Sequence, residues 1–538
     1  MKKLLLLFAA LMLSLGMAQG QAQENTGSNT LPTPSNNQIV YRSANHEKIT
    51  PHNIEVFGAT YNDADNVYDA EADYGVITFD GNVTTIGKEA FEYCKSLTEI
   101  VFPSTVTSIG EWAFYGCTGM AELTIPSTVT AIGGFAFSGW PNLAKLSVKA
   151  GSIGESAFAG CSKLNSIDLQ EGVISIRENA FQNCAGMEEL TIPSTVNEIG
   201  MQAFYGLPNL IKLTVKAGSI GGIAFANCPK LSSVDLQEGV TGIGDRAFQN
   251  CAGIEELTIP NTVTAIGEQA FDGLRNLTKL TVKAGSIGGM AFANCPKLSS
   301  VDLQEGVTDI GNRAFYNCIA MSEIAIPSTV TTIGEQAFDG LPNLTKLTVK
   351  AGSIGGIAFA NCPKLSSVDL QEGVTDIGNR AFYNCIAMSE IAIPSTVTAI
   401  GEQAFNGCSC LRSIKFGNAM MNIANSSFVN CPNVASVTFS GVMVLNNIFN
   451  GFGTAESPVT LKLPFFWPVN DKPVNSATPW HGGYFNCEYT VPVEDILASL
   501  GSLGTKQNGP AVKVTGSDDN EIILYAPKKV EYIKVKEN

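Results

Sequence analysis

Only three histidines occur in 538 residues, His46, His52 and His481, so the long middle of the chain lacks both the commonest metal ligand and the commonest general base. No Cys-x-x-Cys pair, Gly-x-Ser-x-Gly elbow or phosphate-cradling glycine loop is present. Charge is scarce: 15% of residues are Asp, Glu, Lys or Arg, with a net charge of −16 and no basic block. Nucleic acid is thereby disfavoured as a partner, since phosphate binding needs a concentrated basic surface. No uninterrupted apolar stretch reaches the roughly 20 residues of a membrane helix, which argues against an integral membrane protein. These absences point away from catalysis and predict neither a cofactor nor a metal.

What is abundant is glycine, 53 residues, with 24 prolines and 45% hydrophobic residues. Short apolar elements separated by many corners fit that composition, and the length favours an extended repeat array over one compact core. At the start, Lys2 and Lys3 precede the apolar run Leu4–Leu15 and the small residues Ala18, Gly20 and Ala22. This reads as a secretory signal over residues 1–22, implying a secreted, extracellular or cell-surface protein. Lipid anchoring at this point is not expected, because the first cysteine is Cys94.

Self-similarity dominates the rest. Ile109-Gly-Glu-Trp-Ala-Phe114 recurs as Ile199–Phe204, Ile266–Phe271 and Ile400–Phe405. The phenylalanine reappears from Phe91 to Phe428, with Phe449 as a degenerate last copy, giving about 17 repeats. Spacings of 23, 23 and 21 residues combine into a unit of 67, so three repeat types alternate. One carries Ile192-Pro-Ser-Thr-Val-Asn197, one Val215-Lys-Ala-Gly-Ser219, and one Asp235-Leu-Gln-Glu-Gly-Val240. Within a repeat, Met120, Leu123 and Ile125 have the spacing of an entering strand, Val129 and Ile132 return inward, and Gly133 opens a short turn or helix bearing Ala136 and Phe137. One such coil cannot bury its own apolar side, so the coils must stack and share a continuous core.

The recurring phrase, approximately Leu-Thr-x-Ile-x-Ile-Pro-x-x-Val-Thr-x-Ile-Gly-x-x-Ala-Phe-x-x-Cys, resembles the BspA-like bacterial leucine-rich repeats over about residues 75–452. The resemblance implies a leucine-rich-repeat solenoid with short strands, short helical or 3-10 turns and terminal caps. It also implies a secreted or surface-displayed protein, in a family of which several members are implicated in adhesion. The expected organisation is a signal at 1–22, a flexible linker at 23–37, an N-terminal cap at 38–79, the solenoid at 80–452, and a C-terminal cap or attachment module at 453–538. No sortase-type Leu-Pro-x-Thr-Gly sequence is present.

Twelve of the 14 cysteines lie three residues after a repeat phenylalanine, where other copies place Trp140, Leu207, Leu274, Leu341 and Phe452. A slot that accepts leucine and tryptophan is a packing slot, so these read as buried thiols. Cys410 and Cys487 break the pattern, and a bridge between them is one reading. The acidic stretch Asp63, Asp65, Asp69, Glu71 and Asp73 fails the calcium-loop test, because Val67 and Tyr68 stand where a ligand and a glycine belong, and it reads as a solvated loop.

Residues between the apolar strand positions should point outward on the strand-lined face. Glu122, Glu189, Glu256 and Glu323 form one column, continued one repeat later by Lys145, Lys212, Lys279 and Lys346. Asp168, Asp235, Asp302 and Asp369 lie two residues further along the following strand. A second lysine column, Lys149, Lys216, Lys283 and Lys350, occupies the place where other repeats have proline. The bland reading is charge compensation between neighbours. The functional reading is a ribbon that recognises an extracellular or cell-surface protein through many weak contacts, with multivalent gain from its periodicity. The alternatives are attachment to a glycan or to other bacteria, and a non-catalytic spacer at the cell surface.

Overall fold

The computed structural model describes residues 30–52, 57–417, 422–424 and 426–439, together with the backbone of four later strands, Val459–Leu463, Phe485–Tyr489, Ala511–Thr515 and Glu521–Tyr525. The signal segment, Phe449 and, apart from the four later strands, the module expected at 453–538 lie outside the described residues.

The chain winds as a sequence of short strands and turns into a parallel β-solenoid. Sixteen phenylalanines, Phe91 to Phe428, stack along its axis. Their ring centroids lie 4.8–5.6 Å apart and neighbouring planes are within 14° of parallel. They fix about fifteen turns of the coil. Each offset stack adds roughly 0.5–1.5 kcal/mol to the area the ring already buries. The inward set read from the sequence is buried: Met120, Leu123, Ile125, Val129, Ile132, Ala136 and Phe137 are at most 5% exposed.

One expectation needs correction: none of the described residues is helical. The Gly-x-x-Ala-Phe segment looks like a helical turn because its apolar residues are close in sequence. Instead its amides donate to the next coil, Trp112 N to Gly134 O at 3.0 Å, Phe114 N to Ala136 O at 2.8 Å and Gly116 N to Ser138 O at 3.1 Å. To aim three alternate amides the same way, the backbone turns left-handed two residues before and two after each phenylalanine, as at Trp112 (φ 59°) and Gly116 (φ 70°). An α-helix cannot accommodate such residues.

The return strands, from Thr85–Ile86 to Asn422–Ile423, form one unbroken sheet of 16 parallel strands. The entering strands form separate panels. Glu122–Ile125, Lys145–Val148 and Ser166–Leu169 make one three-stranded sheet, and three more such sheets follow at Glu189–Leu236, Glu256–Leu303 and Glu323–Leu370. A fifth panel begins at Glu390–Ile393 and runs through Ser413–Phe416 and Ser436–Phe439 to Val459–Leu463 and Phe485–Tyr489.

At the N-terminal end, Gln38–Ser43, Tyr61–Asp69 and Tyr74–Phe79 form an antiparallel sheet whose first strand also pairs with Leu97–Val101 of the first coil. Tyr41 is buried there. Its hydroxyl donates to Asn66 Oδ1 at 3.0 Å and accepts from Ile49 N at 2.9 Å, and burial pushes its pKa up to about 12. Within the segment read as linker, Leu31 is buried, Asn36 O accepts from Val83 N at 2.8 Å, and Asn37 O accepts from Phe79 N at 2.9 Å, so docking begins by residue 31. Ala511–Thr515 and Glu521–Tyr525 pair antiparallel.

Candidate functional site

The panels end where proline stands. In the second and third strands of a panel, the residue just after the strand donates back to the preceding coil: Lys283 N to Ile259 O at 3.2 Å and Gln304 N to Val282 O at 2.9 Å. In the first strand that residue is Pro126, Pro193, Pro260, Pro327 or Pro394. Proline has no N–H to give, and the ladder to the preceding strand is absent at each of these five positions. The 67-residue unit of the sequence is therefore a structural unit, bounded by a seam.

Side chains stitch the seams in place of the backbone. Thr262 Oγ1 donates to Val240 O at 2.7 Å and accepts from Gly239 N at 3.3 Å, and Thr195, Thr329 and Thr396 repeat the arrangement. Ser194 Oγ donates to Glu171 at 2.8 Å, Ser328 Oγ to Glu305 at 2.7 Å and Ser395 Oγ to Glu372 at 2.7 Å. The second lysine column reaches two coils back over the seam, Lys216 to Glu171 at 3.2 Å, Lys283 to Glu238 at 3.5 Å and Lys350 to Glu305 at 3.1 Å. These serine hydroxyls first, then the lysines, hold the carboxyls of Glu171 and Glu305 below the usual glutamate range.

The predicted columns fall around this frame. Glu122 meets Lys145 at 2.6 Å and Glu256 meets Lys279 at 3.8 Å. Register sets Glu189 beside Lys212 and Glu323 beside Lys346. Asp168, Asp235, Asp302 and Asp369 each accept a hydrogen bond from the glutamine two residues on, at 2.9–3.0 Å. Glu and Lys are thus neighbours inside a panel, whereas Asp235 and Glu256 line one recess from the two sides of a seam. The cavity between them is about 660 Å³, lined by Val234, Asp235, Leu236, Gln237, Glu238, Glu256, Leu257, Thr258, Pro260 and Lys283. The predicted ribbon is interrupted, with a recess of mixed acidic and apolar lining at the interruption. Val234 and its equivalents Ile167, Val301 and Val368 are only partly buried, because no paired strand covers them. Sequence reasoning missed the seams, although the proline column was visible.

The cysteine slot does more than fill space. Cys117 Sγ donates to Phe91 O at 3.0 Å and Cys251 Sγ to Phe225 O at 3.1 Å, and Trp140 Nε1 makes the same bond to Phe114 O at 2.7 Å. Burial pushes the Cys362 thiol up to about 12, which keeps it protonated and unreactive. Cys410 is exposed. The strand holding Cys487 pairs with Val459–Leu463, which pairs with Ser436–Phe439, which pairs with the Ser413–Phe416 strand that follows Cys410. Three strand spacings of ~4.8 Å separate the strand of Cys487 from the strand after Cys410, against a ~7 Å limit between disulfide-linked Cα atoms, which argues against the suggested Cys410–Cys487 bridge.

In the cap, most of the acidic stretch is strand rather than solvated loop. Asp63 pairs with Lys48 and accepts from the Tyr61 hydroxyl at 2.7 Å, and Asp73 accepts from the Tyr68 hydroxyl and lies beside His46 Nδ1, both at 2.8 Å. Asp69 accepts the amides of Glu71 and Ala72 at 2.9 and 3.0 Å.

Comparison with known proteins agrees with the coil. The BspA type leucine-rich repeat region matches residues 84–211, 151–278, 218–345 and 343–452. A leucine-rich repeat protein from Bacteroides ovatus is 26% identical, over 62% of this chain and 82% of its own, with a TM-score of 0.47. A leucine-rich cell surface protein from Faecalibacterium prausnitzii is 25% identical, over 67% of this chain and 84% of its own, with a TM-score of 0.27. The pneumococcal vaccine antigen PcpA is 19% identical, over 78% and 94% of the two chains, with a TM-score of 0.31. No curated protein matches the chain. The matched repeats span most of the sequence, and the chain belongs to the BspA-type leucine-rich repeat family.

Proposed function

We propose that this protein is exported and that its panelled face binds another macromolecule, an extracellular or cell-surface protein, without catalysing a reaction. The observation that carries the reading is the seam: an open recess at Asp235 and Glu256 whose residues recur at intervals of 67 along one exposed face. The core does not need these charges, because the adjoining return sheet is continuous without them. A partner with its own periodicity gains affinity by engaging several seams at once, with no new kind of contact. The signal-like start and the name of the Faecalibacterium relative support a surface location. Family membership supports a non-catalytic role.

The test is binding of the full chain to immobilised matrix proteins, repeated with Lys145, Lys212, Lys279 and Lys346 all changed to Glu. Saturable, salt-sensitive binding that the quadruple variant weakens is the expected result. Equal binding by the variant would remove the panels from the interface.

A further inference from the structure

The turn edge of the solenoid carries isolated tyrosines such as Tyr205, Tyr316 and Tyr383, but at one end its aromatic rings are clustered. Two residues after the repeat phenylalanine the chain is left-handed, and from Gly116 to Asn430 that position is always glycine or asparagine, the residues that tolerate it. The first coil departs from this rule with Tyr93, at φ 55° and 55% exposed. Nothing in the packing requires a ring there, since it projects to solvent and lies over Gly116, whose missing side chain makes room for it. The departure is not isolated. Two residues before the phenylalanine, later coils carry Gln, Arg, Ser, Asn, Ile or Met, whereas the second and third coils carry Trp112 and Phe135, also left-handed.

These rings form one cluster. Trp112 stacks on Phe135 with centroids 4.7 Å apart and 16° between planes, Tyr115 meets Trp112 edge-on at 4.7 Å, and Tyr93 meets Tyr115 edge-on at 5.4 Å. A charged rim holds it in place. Trp112 Nε1 donates to Glu111 Oε1 at 2.9 Å, and Lys88 reaches Glu111 at 3.3 Å and Glu89 at 3.7 Å. Glu92 and Lys95 flank Tyr93. What sets this end of the edge apart is therefore not the left-handed turn, which every coil shares, but four aromatic rings in mutual contact over three adjacent coils, with Tyr93 exposed.

We propose that Tyr93, Trp112, Tyr115 and Phe135 form a binding platform for a neutral oligosaccharide. Pyranose rings present apolar C–H faces that lie on aromatic rings, while their hydroxyls pair with carboxylates and ammonium groups such as those of Glu89, Glu111 and Lys88. The coil-to-coil step here, 5.1 and 5.3 Å between the core phenylalanines, is comparable to the length of one sugar ring, so successive sugars meet successive coils. A protein partner fits less well. Four rings of ~150–250 Å² each, three of them half-buried, present less than the ~800 Å² that each side of a stable protein interface contributes. The glutamates of the rim repel uronic-acid and sulfated polymers.

The experiment is affinity electrophoresis of the full chain through gels containing a β-glucan, a mannan, a galactan, an N-acetylglucosamine oligomer or a sulfated polysaccharide. Tyr93→Asn and Trp112→Gln each install the residue that other coils carry, so both variants should fold, and Tyr93→Asn should raise the melting temperature. The expected result is retardation by at least one neutral polymer and none by the sulfated one, with apparent affinity falling roughly tenfold or more in each variant. Matrix-protein binding at the panels should be unchanged, which separates failure here from failure of the panel reading. No retardation of the parent chain by any neutral polymer, or equal retardation of both variants, overturns the proposal. So does loss of protein binding in the variants without loss of glycan binding.

Discussion

The two strand-bearing sides of this solenoid are built on the same stacked core, yet one is a single sheet of 16 strands and the other is cut into panels. The return strands are only two to four residues long, and every one between the two end strands is paired on both sides. The entering strands are as long or longer, yet they lose a neighbour at each proline. The breaks thus coincide with one column of residues, the prolines, and do not track strand length. The unbroken side holds the stack in register, and the broken side is free to carry recesses and charge.

The largest expected effect lies in what the two sides share. Phe271→Ala removes a fully buried ring that stacks on Phe248 and Phe292, at a cost of about 3–5 kcal/mol. Because coils contact only their neighbours, denaturant unfolding should split into two transitions. A single transition would mean that the panels are coupled more tightly than nearest-neighbour stacking allows.

Next is the unbroken side. Gly285 begins a return strand at φ 90°, and a Cβ there would lie 2.5 Å from Val263 O. Gly285→Ala should cost about 1–3 kcal/mol, read as a lower denaturation midpoint. The third prediction acts on the comparison itself. Pro260→Lys supplies the N–H that Lys283 uses one coil later and should join the second and third panels. A gain of about 0.5–1.5 kcal/mol is expected, with slowed amide exchange at residue 260. Unprotected exchange there would show that the seam has a cause other than proline.

The smallest effect concerns the stitching. The carboxyl of Glu305, held below the usual range by Ser328 and then Lys350, stabilises the fold above its unfolded pKa, and that contribution fades as pH falls through the lower folded value. Glu305→Gln should therefore leave the melting temperature below about pH 4 nearly unchanged and lower it slightly at pH 7. The residue is exposed, so the shift should be small.

Much of the coil could be read in the residues. The spacing of Phe91 to Phe428, the inward Leu-x-Ile pairs and the packing role of the cysteine slot all follow from local periodicity. The segment before the phenylalanine reads from its residues as a short turn or helix, and what makes it a turn is a set of amides that bond the next coil. The thiol bond to the preceding coil was invisible for a related reason: leucine in the same slot hides the role of a donor. The Glu, Lys and Asp columns were legible as columns, but not the seam whose recess Asp235 and Glu256 both line.

What the sequence determined by itself is the repeat: its period, its inward face and the alternation of three types, because each depends on residues within one coil. Only the tertiary structure decided where amides are satisfied. The strands and turns of the coil bond to the neighbouring coil, as in Phe137 N to Ala157 O and Lys283 N to Ile259 O. Whether such a bond forms depends on the neighbouring coil's register. A proline, a left-handed turn or a recess acquires its meaning only when that coil is in place.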